Sequence, residues 1–319
     1  MNLSGPLDSF GDAFLKNFIT FSLGIIISCI NGAFVYTYFQ SQEFQRDPRY
    51  VLYIHLVIND MIMLACSVVL QIVSYAIPTG FTSCCIILVI IITTNKNSPL
   101  NLAGMAVERY IAVCRPLHHV QICTVQRAHA LIALIWTVSF IPAVTDVIII
   151  LATQPLSVFS QTVTCYPSNV YHTSYHVRKR LFIQVSLLSF VSLTLIVTYV
   201  KVLCTAKAMS GSNQASARNA RNTILLHGVQ LLICMLSYIS PFVTLSLVTI
   251  SPHESTKIYF TSFVLTNILP RLLSPLIYGV RDKKFSRHIR LHFCCKRFQS
   301  ERKRVHAAGP RRRSAKVLH

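Results

Sequence analysis

Seven long apolar blocks constrain this chain more than any other feature: about 18 to 40, 50 to 77, 84 to 114, 128 to 152, 179 to 205, 222 to 250 and 257 to 280. Each reaches the roughly 20 residues a helix needs to cross about 30 Å of hydrocarbon. In lipid every backbone polar group must be bonded within the protein, which leaves helices or a closed barrel. The blocks are long and lack the two-residue alternation of barrel strands, so the chain reads as all-α, a seven-transmembrane helix bundle. Composition agrees, with 53% hydrophobic and only 13% charged residues, where soluble domains carry about 25% charged. Polar residues interrupt three blocks: Asn95 to Ser98 in the third, Asp146 in the fourth and Arg271 in the seventh.

The distribution of Lys and Arg orients the bundle. Of 30 such residues, 22 fall between blocks one and two, three and four, five and six, or after residue 280; five fall on the opposite side. By the positive-inside rule the C-terminus is cytoplasmic and the N-terminus outside. The chain divides into an extracellular N-terminus (1–17), a seven-span domain (18–280), a short amphipathic eighth helix (281–295) and a basic cytoplasmic tail (296–319). The net charge of +20 then points to anionic membrane lipids rather than nucleic acid. MNLSGPLDSFGDAFLKN has no basic segment before the first block and no small-residue cleavage site, unlike a removable signal peptide. Asn2 heads an Asn-Leu-Ser sequon and is a glycosylation candidate.

Cysteine placement carries more than cysteine number. Cys84 and Cys85 begin the third block on the outer side, and Cys165 is the only cysteine between blocks four and five. An oxidising compartment permits a bridge there, with Cys84 preferred as the partner of Cys165 and Cys85 the alternative. Cys294 and Cys295 follow the basic stretch RDKKFSRHIRLHF and are palmitoylation candidates.

Asn31, LVIND with Asp60, Glu108-Arg109-Tyr110, Trp136, Tyr199, Pro241 and SPLIY (Ser274 to Tyr278) lie one per block, in order. This series resembles the rhodopsin-like (class A) G protein-coupled receptors. MAVERYIAVCRPLHH and SPLIYGVRDKKF resemble the odorant-receptor variants of those motifs. PRYVLYIHLVINDM, ARNTILLHGVQLLICML and LPRLLSPLIYGVRDK are similar to a teleost-type odorant-receptor subfamily. The single cysteine between blocks four and five departs from the mammalian pattern. Ile239, where many rhodopsin-like receptors carry Trp, and Val191, where many carry Pro, depart from the wider family's pattern.

The resemblance implies a plasma-membrane receptor of olfactory sensory neurons. A small waterborne or volatile odorant would bind between the outer halves of the spans. A heterotrimeric G protein of the stimulatory or olfactory type would couple inside and raise cyclic AMP. Glu108, Arg109, Tyr110, Tyr199, Pro275 and Tyr278 would form the switch, with the loop from Lys201 to Arg221 and the PLHH segment contacting the G protein. Asn95, Lys96, His176, Gln184, Tyr238 and Asn267 are the candidate ligand contacts.

Helix geometry adds an ion-pair expectation. Asp60 lies mid-span, where an acid needs a partner. Ser98 precedes Arg109 by eleven residues, within about 20° of the same helix face at 100° per residue. Many relatives place a sodium ion here, but Arg271 lies at a similar depth and its guanidinium would neutralise Asp60 instead. Lys96 lies about 140° around the helix from Arg109, where it either meets an acidic ligand or bonds carbonyls or Asp146. No P-loop, metal-ligand spacing or nucleophile constellation stands out, so neither enzyme nor cofactor is expected. The alternatives are a G protein-coupled receptor for a non-olfactory ligand and, ranked below it, a transporter or channel lined by Asp60, Lys96, Asp146 and Arg271, which no internal repeat supports.

Overall fold

A computed structural model describes residues 10–76, 79–163, 165, 170–171, 173–209, 229, 232, 239–240, 242–273, 276 and 283–290. In chain order the described helices are α1 (Phe10–Gln40), α2 (Gln42–Gln45), α3 (Pro48–Ala76), α4 (Phe81–Cys114), α5 (Pro116–Ile122), α6 (Val125–Thr153), α7 (Ser174–Met209), α8 (Ser255–Phe263) and α9 (Lys283–Arg290). Residues 242–250 are also helical. Five helices (α1, α3, α4, α6 and α7) are long and apolar enough to cross a membrane. The sixth and seventh blocks fall only partly within the described residues. The first helix begins at Phe10, earlier than its apolar block, because FGDAFLKN extends it by two turns.

Local chemistry fixes several boundaries. Pro48 opens α3, where its missing N–H costs nothing, and the Asp47 carboxylate accepts from Arg49 N–H at 3.0 Å. Thr124 caps α6 by accepting from Arg127 N–H, one of the four donors a helix start leaves unpaired. The preceding-proline restriction ends α4: Arg115, before Pro116, takes φ −136° and ψ 58°, and the chain restarts as α5.

The third block is the axis of the bundle, since α4 packs along α3, α6 and α7 while α1 packs on α3. Gly24 permits the close approach of α1, because a Cβ there would lie 2.9 Å from Val68 Cγ2. The outward faces are apolar: on α7, Phe182, Phe190, Leu193 and Ile196 are all exposed. Lipid, not water, suits such a surface.

At one end of the bundle a two-stranded antiparallel ribbon pairs β1 (Thr79–Gly80) with β2 (Thr162–Val163). Cys84 and Cys165 form a disulfide beside it, which settles the choice left open by Cys85, a buried free thiol. Phe81, Leu88, Ile150, Val170 and Tyr171 pack around the bridge. Burial pushes the Tyr171 hydroxyl above the ordinary tyrosine range, and Cys85 and Asp146 push it further.

At the opposite end α9 packs back onto the bundle, with Phe285 as its buried anchor. Phe285 is 1% exposed and sits 5.8 Å from the rings of Phe34, Tyr50 and Tyr53 and 4.9 Å from that of Phe44. Lys284 pairs with Glu43 of α2. The predicted amphipathic helix over 281–295 is described over Lys283–Arg290.

Candidate functional site

Polar side chains in this apolar bundle gather at three levels: two tie α4 to its neighbours, and the one nearest the disulfide ties α6 to α7.

The middle level centres on Asp60 of α3, which is fully buried. Arg271 Nη1 donates to Asp60 Oδ1 at 2.5 Å and to Ser98 Oγ at 2.8 Å. Ser98 Oγ donates to the same carboxylate oxygen at 3.0 Å and accepts from Asn59 Nδ2 at 2.9 Å. Arg271 Nη2 meets Met63 Sδ at 2.7 Å, and Asn31 Nδ2 donates to the Arg271 carbonyl at 3.4 Å. Four helical segments therefore converge on one ion pair. A π turn over Val264–Ile268 precedes Arg271, and its wider i→i+5 winding changes the face presented by the residues that follow. Ser98 adds a hydrogen bond to each partner, while Asp60 Oδ2 and Arg271 Nε are buried with no hydrogen-bond partner among the described residues, so the pair is only partly satisfied.

A second polar chain lies nearby. Trp136 Nε1 donates to His55 Nε2 at 2.7 Å, and His55 Nδ1 lies 2.8 Å from Asn101 Nδ2. The chain joins α6, α3 and α4. Trp136 is one of the motif residues in the sequence, whereas nothing in the sequence marks His55 as its partner.

The level nearest the disulfide holds Asp146, Lys179 and His176. Lys179 Nζ donates to Asp146 Oδ1, to the Pro142 carbonyl at 2.7 Å and to Thr145 Oγ1 at 3.1 Å. His176, 1% exposed, bonds the Asp146 carbonyl at 3.1 Å and Thr173 Oγ1 at 2.6 Å. The cation on Asp146 is thus Lys179 of α7. Lys96 is half-buried and lies in the fields of Asp146, Lys179 and Arg180. Asn95 and Gln184 are half-buried and each has an interaction partner. Asn267 Nδ2 donates to Thr266 Oγ1.

The third level, at the far end of α4, carries Glu108 and Arg109. Glu108 is 6% exposed. Its near partner is His119 of α5, with Nε2 3.0 Å from Oε1, while Arg109 Nε lies 3.9 Å from Oε2. The break at Arg115 and Pro116 is what folds α5 back so that His119 reaches Glu108. Cys114 Sγ contacts Thr205 Oγ1 of α7 at 3.2 Å. Tyr110 is half-buried, and Tyr199 is 40% exposed on α7. Beside this level, burial pushes the Cys123 thiol up; Glu108 adds to the shift and Arg127 opposes it.

Asn2, Tyr238, Pro241, Pro275, Tyr278, Cys294 and Cys295 lie outside the described residues. Among the described residues no cluster of three His, Cys, Asp or Glu side chains could hold a metal ion.

Comparison with known proteins shows the family to which this arrangement belongs. Residues 30–278 match the family model for the 7 transmembrane receptor (rhodopsin family). Odorant receptor 131-2 of Danio rerio is 29% identical over 273 residues, covering 85% of this chain and 83% of that protein. Olfactory receptor 4K15 of Homo sapiens is 22% identical over 289 residues, 84% of this chain and 82% of that protein. Olfactory receptor 11H7 of Homo sapiens is 25% identical over 272 residues, 77% and 79% respectively. The match takes in all three polar levels, and it sets aside the transporter and channel readings. The chain belongs to the rhodopsin family of seven-transmembrane receptors, a multi-pass plasma-membrane protein and not an enzyme, with distant kinship to vertebrate olfactory receptors.

Proposed function

We propose that this receptor is an odorant receptor: a small waterborne or volatile molecule binds near the disulfide end, and a heterotrimeric G protein is activated at the Arg109 end. The observation that carries the reading is the construction of that second end. Glu108 holds α5 through His119, and among the described residues Arg109 has only a 3.9 Å contact to its neighbouring acid. An arginine so loosely held can change partners without breaking a close ion pair. The likeness to the Danio rerio odorant receptor over 85% of the chain supports the olfactory part of the reading.

With the basic segments cytoplasmic, Arg109, α5 and the basic segment Lys201 to Arg221 face the G protein, a segment expected as loop from its start but helical in α7 as far as Met209. A ligand that binds one conformation more tightly shifts the population toward it. The ends of α7 and the sixth block then move from Arg109, parting the Cys114–Thr205 contact, and Tyr199 turns in as the new partner of Arg109. A G protein of the stimulatory or olfactory type, raising cyclic AMP in olfactory sensory neurons, is the coupling we propose.

A cyclic AMP reporter in cells carrying the receptor at their surface tests this, run against amino acids, bile acids, steroids, small acids and neutral volatiles. We expect at least one class to give a saturable, receptor-dependent rise. Surface expression with no rise from any class contradicts the reading.

A further inference from the structure

The seam between α3, α4 and α6 holds more polar groups than its side chains pair. His55 of α3, Asn101 of α4 and Trp136 of α6 meet at one junction, through contacts of 2.8 and 2.7 Å. One turn toward the disulfide end, each helix carries a further polar residue: Asn59 on α3, Asn97 on α4 and Ser139 on α6. Side chains three or four residues apart share a helix face, so all three point into this seam. Packing on the other side of the junction fixes the register independently. Gly104 lets α4 lie against α6, where a Cβ would come 3.1 Å from Leu131 Cδ2 and 4.0 Å from Ile135 Cδ1. About two turns outward along each helix, Asn97 comes beside Ser139.

Asn59, Asn97 and Asn101 are 0% exposed and Ser139 is 1% exposed. Asn59 Nδ2 donates to the Thr94 carbonyl and to Ser98 Oγ, and Asn101 Nδ2 donates to the Leu52 carbonyl. The other polar atoms are not so provided for. Among the described residues Asn59 Oδ1, Asn101 Oδ1, Ser139 Oγ and both polar atoms of Asn97 have no hydrogen-bond partner. A buried polar atom left unpaired bears its full desolvation penalty, and here five gather around one seam. Buried water satisfies such groups with about three hydrogen bonds each. Three amide oxygens, one amide N–H group and a hydroxyl suit a molecule that both donates and accepts. All are neutral, and the adjacent carboxylate of Asp60 is held by Arg271, so water fits where an ion does not. We propose that this seam is a water-binding site: ordered water bridges Asn97 to Ser139 and bonds the amide oxygens of Asn59 and Asn101, tying α6 to α3 and α4.

Trp136 is the only tryptophan in the chain, so receptor carrying isotopically labelled tryptophan gives a single indole resonance at the junction. Solid-state NMR in phosphatidylcholine bilayers then compares magnetisation reaching that indole from water protons with magnetisation reaching it from lipid chains. Transfer from water should be the faster. Asn97→Leu, close in shape but apolar, should slow it. Asn97→Leu and Ser139→Ala should each lower the unfolding midpoint, and the double variant should lose less than the sum, because both remove one shared bridge.

An indole that gains magnetisation from lipid faster than from water overturns the proposal, since the seam is then dry. So does an Asn97→Leu receptor more stable than wild type, the result expected when unpaired polar atoms are simply removed. Losses that add fully overturn the bridge between Asn97 and Ser139. The indole measurement on wild type decides even if neither variant folds.

Discussion

Arg271→Met is expected to destabilise the receptor by about 3–5 kcal/mol, because it leaves a carboxylate fully buried with its counter-charge removed. Asp60 is 0% exposed and Arg271 5%, so water reaches neither partner to screen the loss. Asp60→Asn should cost a similar amount, since it strands the guanidinium. The double variant is the informative one. Replacing both charges by neutral groups removes the attraction and the desolvation cost together, which is often near neutral. Asp60→Asn with Arg271→Met should therefore be more stable than either single variant, as read by thermal unfolding in nanodiscs. Two losses that simply add would mean the side chains do not interact. The same pair bears on sodium. A guanidinium 2.5 Å from Asp60 Oδ1 repels a cation, so exchanging sodium for another monovalent cation should leave the unfolding midpoint unchanged. A sodium effect that disappears in Asp60→Asn would contradict this.

The second large effect belongs to the disulfide. Cys84 and Cys165 are 81 residues apart, and closing a loop of that length removes about 4–5 kcal/mol of chain entropy from the unfolded state on the loop-closure account. Cys165→Ser should forfeit most of this and loosen the ribbon and the Phe81, Leu88 and Tyr171 cluster. Cys85→Ser provides the control, because Cys85 is buried beside the bridge but bonded to nothing covalently. Its cost should be about 1 kcal/mol, that of a small core change. Unfolding with and without reductant separates the two: reductant should shift the wild type and Cys85→Ser but leave Cys165→Ser where it is. Equal losses from the two variants would contradict the assignment.

Much of this architecture is legible in the sequence, and the reasons differ by feature. Spans can be read because a helix's need for about 20 apolar residues is a property of each segment alone. The approach of Ser98 to Asp60 follows from residue spacing along one helix, and Arg271 from depth in another. What depends on how separate helices cross is hidden. His55 carries no mark that Trp136 will donate to it, and the one mark of the π turn before Arg271 is Pro270, which has no N–H to give the Thr266 carbonyl. Asp146 shows the limit most clearly. From sequence, Lys96 is a candidate partner and Lys179 stands at the outer start of the fifth block, in the basic run RKR. In the structure α7 begins at Ser174, so Lys179 lies within the helix and its long side chain reaches Asp146. The nearer partner of Glu108 is hidden for a similar reason: Arg109 is adjacent in sequence, yet the turn at Pro116 brings His119 closer.

The central claim is that the Arg109 end of α4 passes a ligand signal to a G protein. The direct measurement is guanine-nucleotide exchange on a purified heterotrimer by receptor in nanodiscs, comparing wild type with Arg109→Ala. Both are driven by whichever compound the cyclic AMP screen identifies, and ligand binding is followed in parallel by thermal unfolding. The account predicts that Arg109→Ala still binds the compound, seen as a retained shift in unfolding, while exchange falls to the receptor-free rate. Exchange at the wild-type rate from Arg109→Ala would contradict it.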